Sequence, residues 1–179
     1  MINEKEIIDL CNADLNKGFK LLMERYQEPV YNNARRLLVS HEDAQDALQE
    51  TFIRVYRSWS LFRGDSALST WIFRIATNES LRILDNRKKR ANLSDEEMQE
   101  NLLDKLKVSD YIDYEDEMAV KFQAALLSLP EKQRLVFNLR YYDELSYEEI
   151  AKVLDSKVET LKVNYHYAKE KIKDYIINH

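Results

Sequence analysis

Two helix-start signatures lie ten residues apart near the end of the chain: Ser146 with Glu149, and Ser156 with Glu159. In such a pair the hydroxyl accepts the N–H three residues on, and the carboxylate reaches back to the N–H of the serine. Only one short helix fits between them, carrying Ile150, Ala151 and Leu154 on one side. Asp155 follows, a residue type that tolerates a left-handed corner. A longer helix comes next, with Val158, Leu161, Tyr165, Ala168, Ile172 and Ile176 at core spacing. A short helix, a tight turn and a longer second helix make a helix-turn-helix. Its second helix points Lys157, Thr160, Lys162, Val163, Asn164, His166, Tyr167 and Lys169 outward. In a major groove these residue types offer amide pairing to adenine, cations for guanine or phosphate, and an apolar contact for thymine. Helix pairs of this kind also occur in proteins that bind no DNA.

The remainder is patterned for helices as well. Leu15, Phe19, Leu22, Met23 and Tyr26 recur at steps of three and four, and Val30, Ala34, Leu37 and Leu38 continue that face past Pro29, which either kinks the helix or opens the next one. Ser40 with Asp43 predicts a helix start near His41, with an apolar stripe of Ala44, Leu48, Phe52, Val55, Tyr56 and Trp59. A loop at Ser60–Asp65 contains Gly64, and Ser66 or Ser69 is placed to cap a helix over about 68–88. That helix has a core stripe of Leu68, Ile72, Ile75, Ala76 and Ile83. Apolar spacing returns at Met118, Phe122, Ala125, Leu126 and Leu129, stops at Pro130, and resumes at Leu135, Val136, Leu139 and Tyr142. With two glycines and two prolines in 179 residues, the chain lacks the turn residues a strand-rich fold needs repeatedly. The expected class is all-α.

Charge divides the chain into three. The overall net charge is −5, but residues 1–90 carry +2, residues 91–120 carry −8 and residues 121–179 carry +1. Residues 91–116 have weak periodicity, with at most one helical turn at Leu102, Leu103 and Leu106, and read as a linker extended by its own repulsion. The expected domains are therefore 1–90 and 117–179, two small helical units joined by an acidic linker.

Two faces of the first unit carry chemistry. The helix from His41 presents Asp46, Glu50, Arg54 and Arg57 opposite its core stripe, with Ile53 exposed among them. The next helix presents Trp71, Arg74, Asn78, Arg82 and Asn86 on one line toward Arg87, Lys88, Lys89 and Arg90. An aromatic ring, amides and cations in register suit base stacking with phosphate neutralisation. A core tryptophan with solvated arginines is the plainer alternative.

Other classes are excluded. Cys11 is the single cysteine, so an intramolecular disulfide or a cysteine-based zinc site is impossible. The start MINEKEIIDL carries carboxylates where a signal peptide needs cations, and no apolar run reaches the roughly 20 residues that span a bilayer. A cytoplasmic protein without membrane insertion is expected. No nucleophile–base pairing, phosphate loop or metal-ligand spacing occurs, so neither an enzyme nor a metal or cofactor site is expected, and His41, His166 and His179 are scattered.

The chain resembles the extracytoplasmic-function sigma factors, small bacterial transcription initiation subunits with only regions 2 and 4. Asp43–Asp46 followed by Gln49, Glu50, Thr51 and Phe52 matches region 2, as do Phe62–Ser66, Ser69–Trp71 and Arg74–Asn78. Leu129 and Pro130, then Leu145–Ala151, Thr160, Lys162, His166 and Ala168 match region 4. The resemblance implies a region 2 helical bundle and a region 4 helix-turn-helix. It implies docking on core RNA polymerase, through its β′ and β subunits, by Asp43, Asp46, Gln49, Glu50, Phe52, Ile53 and Arg54. It implies opening and reading of the minus-ten element, duplex and single-stranded, by Phe62, Arg63, Trp71, Arg74, Asn78, Arg82, Lys88 and Lys89. Region 4 would read the minus-thirty-five element, and an anti-sigma factor is the expected regulatory partner. Asp155 and Glu159 stand where many relatives have glycine, and Asn164 and Tyr167 where many have arginine. Binding of DNA by this region 4 alone is therefore expected to be weak. The other readings are a stand-alone helix-turn-helix regulator, which leaves Asp46, Gln49 and Glu50 unexplained, and a helical adaptor that binds only protein.

Overall fold

A computed structural model describes residues 2–110, 113 and 115–179 of the chain. All regular structure among the described residues is helical: α1 (Glu4–Ala13), α2 (Leu15–Leu38), α3 (His41–Arg57), α4 (Leu68–Ala91), α5 (Asp95–Lys107), α6 (Glu117–Leu127), α7 (Glu131–Tyr141), α8 (Tyr147–Leu154) and α9 (Val158–Asn178), with one 3-10 turn at Trp59–Leu61. Pro29 lies inside α2, which continues through it. Asp14 and Ser40 cap α2 and α3 by accepting backbone N–H groups. Ser146 and Glu149 form the full reciprocal box at α8.

Two expected caps are corrected. The N-cap of α9 is Lys157, with no side-chain bond, so Ser156 and Glu159 form no box; the Ser156 N–H instead donates to the Ala151 carbonyl as α8 ends. Neither Ser66 nor Ser69 caps α4, whose N-cap is Ala67. Glu4 of α1 supplies the missing acceptor: its Oε1 takes the Ser69 N–H at 3.0 Å and the Tyr26 hydroxyl at 3.0 Å. Asp155 does adopt the left-handed corner, with φ 50°.

The first four helices close around Ile7, Cys11, Leu22, Tyr26, Val30, Phe52, Val55, Trp59, Leu68, Ile72 and Ala76. Gly18 lets α1 approach α2 closely, since a Cβ there would lie 2.4 Å from the Cys11 nitrogen. Val39, between α2 and α3, has φ 63° and is fully buried; a β-branched residue accepts that strain only where packing holds it. The α4 core stripe differs from expectation. Ile75 and Ile83 are only half-buried, whereas Phe73, Thr77, Ser80 and Leu84 are buried.

The extended linker is also corrected. Ser94 and Glu97 make a reciprocal box, and α5 then runs for 13 residues with Met98, Leu102 and Leu106 buried against Ala34, Leu37, Leu38, Leu84 and Leu127. Burying each such side chain contributes about 1.5–3 kcal/mol. Like charges on an exposed helix face oppose that by only about 0.2–0.5 kcal/mol per pair. Burial wins. The linker positions Tyr111, Ile112 and Tyr114 lie outside the described residues.

The C-terminal helices pack through Val136, Leu139, Leu145, Ile150, Val153 and Leu161, and through Ala125, Leu126, Leu129, Phe137, Ala168 and Ile172. Phe73 of α4 belongs to the first of these clusters, so α8 and α4 share a core. No helix among the described residues is long and apolar enough to cross a membrane.

Candidate nucleic-acid interface

The α3 face opens onto a groove of about 690 Å³ between α2 and α3, whose lining includes Met23, Gln45, Asp46, Leu48, Gln49, Ile53 and Tyr56. Ile53 is 37% exposed and Met23 36%, and both remain without a covering element. Apolar rims around carboxylate and amide groups suit a partner helix carrying cations and aliphatic side chains. Asp46 is exposed, and Gln49 is exposed beside it. Glu50 is half-buried and holds Arg54 at 3.4 Å.

Two members of the expected docking set lie elsewhere. Phe52 is buried in the first core, edge-on to Phe19 with ring centroids 6.1 Å apart. Asp43 is buried at the start of α3 and ion-paired with Arg87 of α4. Both point inward, and a structural role accounts for each. Asp43 does not complete the box with Ser40, because its carboxylate has turned to the guanidinium.

The α4 face is presented as the spacing predicts. Arg74 and Asn78 are exposed, and Trp71 is half-buried. Trp71 is in contact with Phe62 at a centroid distance of 5.0 Å, and both touch Trp59, at 6.0 and 5.4 Å. Trp59 is anchored by its indole N–H, which donates to Asn12 Oδ1 at 3.0 Å. Phe62 therefore covers part of the Trp71 ring, on a loop where Arg63 is exposed and Gly64 has φ 74°. That glycine conformation strains any other residue.

Most cations on this face are already paired. Arg82 lies 2.9 Å from Glu79, Lys89 lies 2.7 Å from Asp85, and Lys88 meets Asp95 at the start of α5. The Asp95 hydrogen bond raises the pKa of Lys88. Glu79 was invisible to periodicity. It is a buried carboxylate on α4 that binds Arg82 on one oxygen and Arg54 of α3 at 2.5 Å on the other. Its only sequence signal is the spacing of three to Arg82.

On α9 the expected duplex-reading residues Lys157, Thr160, Lys162, Val163, His166, Tyr167 and Lys169 are all exposed, and Asn164 is half-buried. Val163 and Tyr167 are each 52% exposed, one turn apart. Two further residues join them. Tyr147, the first residue of α8, lies under the Arg140 guanidinium at 5.0 Å and near Lys162 Nζ at 5.8 Å. Arg140 also donates to the Leu145 carbonyl at 3.0 Å. The result is an aromatic platform flanked by two cations beside the α8 N-terminus, where a phosphate is favoured. No group of metal-binding side chains occurs among the described residues.

Comparison with known proteins follows this layout. The family model Sigma-70 region 2 matches residues 22–90, and Sigma-70 region 4 matches residues 119–172. The ECF RNA polymerase sigma-E factor of Escherichia coli (strain K12) is 32% identical over 98% of this chain and 95% of its own length. The RNA polymerase sigma-H factor of Pseudomonas aeruginosa is 30% identical over 94% of this chain and 91% of its own. In fold, the chain is similar to the sigma factor RpoE solved with the anti-sigma factor NepR from Bartonella quintana, with a TM-score of 0.70 at 22% identity over 89% of this chain and 97% of that one. It is equally similar to CnrH solved with the cytosolic domain of CnrY, with a TM-score of 0.70 at 18% identity over 98% of this chain and 97% of that one.

Proposed function

This chain belongs to the extracytoplasmic-function sigma factors, which direct transcription initiation by RNA polymerase, and from that premise we propose how its surfaces divide the work. The observation that carries the reading is that adjoining helices hold two unlike faces. One is the uncovered apolar and carboxylate groove between α2 and α3, and the other is the cation-and-amide face of α4. The groove, through Asp46, Gln49, Ile53 and the Glu50–Arg54 pair, docks on a cationic helical surface of core polymerase. The α4 face then receives the DNA strand that leaves the duplex.

Taking a base out of the stack costs a few kcal/mol. Stacking it on an aromatic ring recovers about 1–3 kcal/mol. Trp71 supplies that ring once Phe62 moves on its glycine-bearing loop, Asn78 offers an amide to a base edge, and Arg74 holds a phosphate. Arg82, Lys88 and Lys89 contribute only as phosphates compete for them with Glu79, Asp95 and Asp85. The α9 face, with Arg140 and Tyr147 beside it, reads the duplex of the minus-thirty-five element. We assign residues 1–90 to core and minus-ten binding, 91–116 to the acidic connection, and 117–179 to minus-thirty-five binding. The protein is a cytoplasmic, non-enzymatic subunit. An anti-sigma factor that covers these faces is its regulatory partner, in keeping with the two structural relatives solved as such complexes.

Run-off transcription with core polymerase, using Trp71→Ala, Asn78→Ala and Arg74→Ala, tests the assignment. Each should lose open complex while keeping core binding. Wild-type opening in all three removes the α4 face from promoter melting.

A further inference from the structure

The strand-receiving face of α4 is held from a helix that lies outside the match to region 2. That match begins at residue 22, whereas α1 ends at Ala13. Two side chains of α1 still reach the start of that face. Glu4 Oε1 accepts the Ser69 N–H at 3.0 Å across 65 residues of chain, and Asn12 Oδ1 accepts the Trp59 indole N–H at 3.0 Å. Glu4, Ile8 and Asn12 are four residues apart and share one line of α1, so the two contacts are spaced about 12 Å along it. The helix is itself fixed at both ends. Asn3 and Glu6 close a reciprocal capping box, the Ile2 carbonyl accepts from Arg25 of α2 at 2.8 Å, and Cys11 is buried where Gly18 admits it.

The first N–H groups of a helix have no partner inside it, and a polar N-cap side chain ordinarily accepts one of them. The N-cap of α4 is Ala67, which cannot. Glu4 does by tertiary contact what a cap does locally, and its carboxylate meets the positive end of the α4 dipole. The Tyr26 hydroxyl donates to the same oxygen at 3.0 Å. Burial, and then the Glu4 charge, raise the Tyr26 pKa, so the phenol keeps its proton and remains a donor. A local cap stabilises a helix wherever it lies, but a cap carried by another helix also sets its position. Trp71 closes the turn so positioned, its N–H donating to the Ala67 carbonyl at 3.1 Å. Its ring touches Trp59, the ring that Asn12 holds, and Phe62. One α1 side chain thus sets the Trp71 backbone and the other sets the ring beside it.

We propose that Glu4 and Asn12 are positioning residues for promoter opening: α1 holds Trp59, Phe62 and Trp71 where an unstacked base is received, without touching DNA. The proposal rests on the reading of α4 as the face that takes the open strand. Positional error of about 1 Å at a reacting site costs on the order of a hundredfold in rate, so loss of either contact should slow opening by roughly tenfold or more.

The test uses the full chain with core polymerase. Glu4→Ala and Asn12→Ala should slow open-complex formation by that factor at saturating core, with affinity for core unchanged. Glu4→Gln keeps an acceptor oxygen and should recover most of the rate. Position 67 is exposed, so Ala67→Ser gives α4 a local cap without repacking. In the Glu4→Ala, Ala67→Ser pair the melting temperature should return to the wild-type value while opening stays slow. The chain's two tryptophans, Trp59 and Trp71, both belong to the ring cluster, so intrinsic emission reports on it in the free protein. Emission should move to longer wavelength in Asn12→Ala and in the pair. Recovery of opening together with stability in the pair overturns positioning and leaves α1 a general stabiliser. Wild-type opening in Asn12→Ala overturns it as well, as does unchanged emission in both. Wild-type opening in Trp71→Ala sinks the α4 reading itself, and a shifted emission in Asn12→Ala would then show α1 holding rings that opening does not use.

Discussion

Glu79 Oε1 lies 2.5 Å from Arg54 Nε, joining α4 to α3 inside the first unit. The same carboxylate holds Arg82 through its other oxygen at 2.9 Å. A residue assigned to polymerase docking and one assigned to DNA are thus oriented by a single buried acid. Glu79→Gln leaves two guanidiniums without their anion. Full burial of such a pair implies a loss of about 3–5 kcal/mol, and because both arginines are half exposed the expected loss is roughly 2 kcal/mol. Urea unfolding measures it. Core binding and open-complex formation should both fall in this variant, whereas unchanged stability would mean the arginines need no anchor.

Gly18 is required by contact rather than by backbone angle. A methyl group there meets the Cys11 backbone at 2.4–2.5 Å and its Sγ at 2.6 Å. Gly18→Ala should lose about 1–3 kcal/mol by overpacking, despite the better helix propensity of alanine. A stabilised variant would contradict the close approach of α1 to α2.

The groove assignment predicts a separation of binding from stability. Ile53→Asp and Asp46→Lys alter exposed positions, so unfolding free energy should change by no more than about 0.5 kcal/mol. Affinity for core polymerase should fall at least tenfold in each, read by competition against the wild-type chain. Equal affinity would place docking on another face.

Asp143 predicts a pH dependence with a definite sign. Burial raises its carboxyl pKa, against the lowering effects of Arg36 and the Asn33 hydrogen bond. A carboxyl raised in the folded state binds its proton more tightly there than in the unfolded chain. Its contribution is therefore fully present below the ordinary carboxylate pKa of about 3.9 and is lost as pH rises through the raised value. The stability difference between wild type and Asp143→Asn should shift in favour of wild type as pH falls through that window. Other carboxylates cancel in the difference, and a flat difference would mean that Asp143 is solvated.

The helices and the helix-turn-helix were legible because each buries one stripe against one neighbour, which a 3.6-residue period reports directly. Phe73 escaped that reading because it faces a different partner from Ile72 and Ala76, so no single stripe contains it. Residues 91–116 read as repelling charge, yet Met98, Leu102 and Leu106, spaced by four, sufficed to seat a helix within them. The outward residues of α4 and α9 were legible as surfaces. The ion pairs that join helices were not, since Glu79 meets Arg54 and Asp95 meets Lys88 only through folding. The burial of Asp43 and Phe52 was not legible for a related reason: a motif position marks that a residue matters, and does not say which neighbours it packs against.

Run-off transcription with purified core polymerase, on a promoter found by mapping starts after overexpression, tests the central claim most directly. A transcript that requires this chain, with a bubble protected only when Trp71, Arg74 and Asn78 are intact, is the predicted result. Duplex binding by the chain alone, with no transcript from core under any promoter tested, would contradict it.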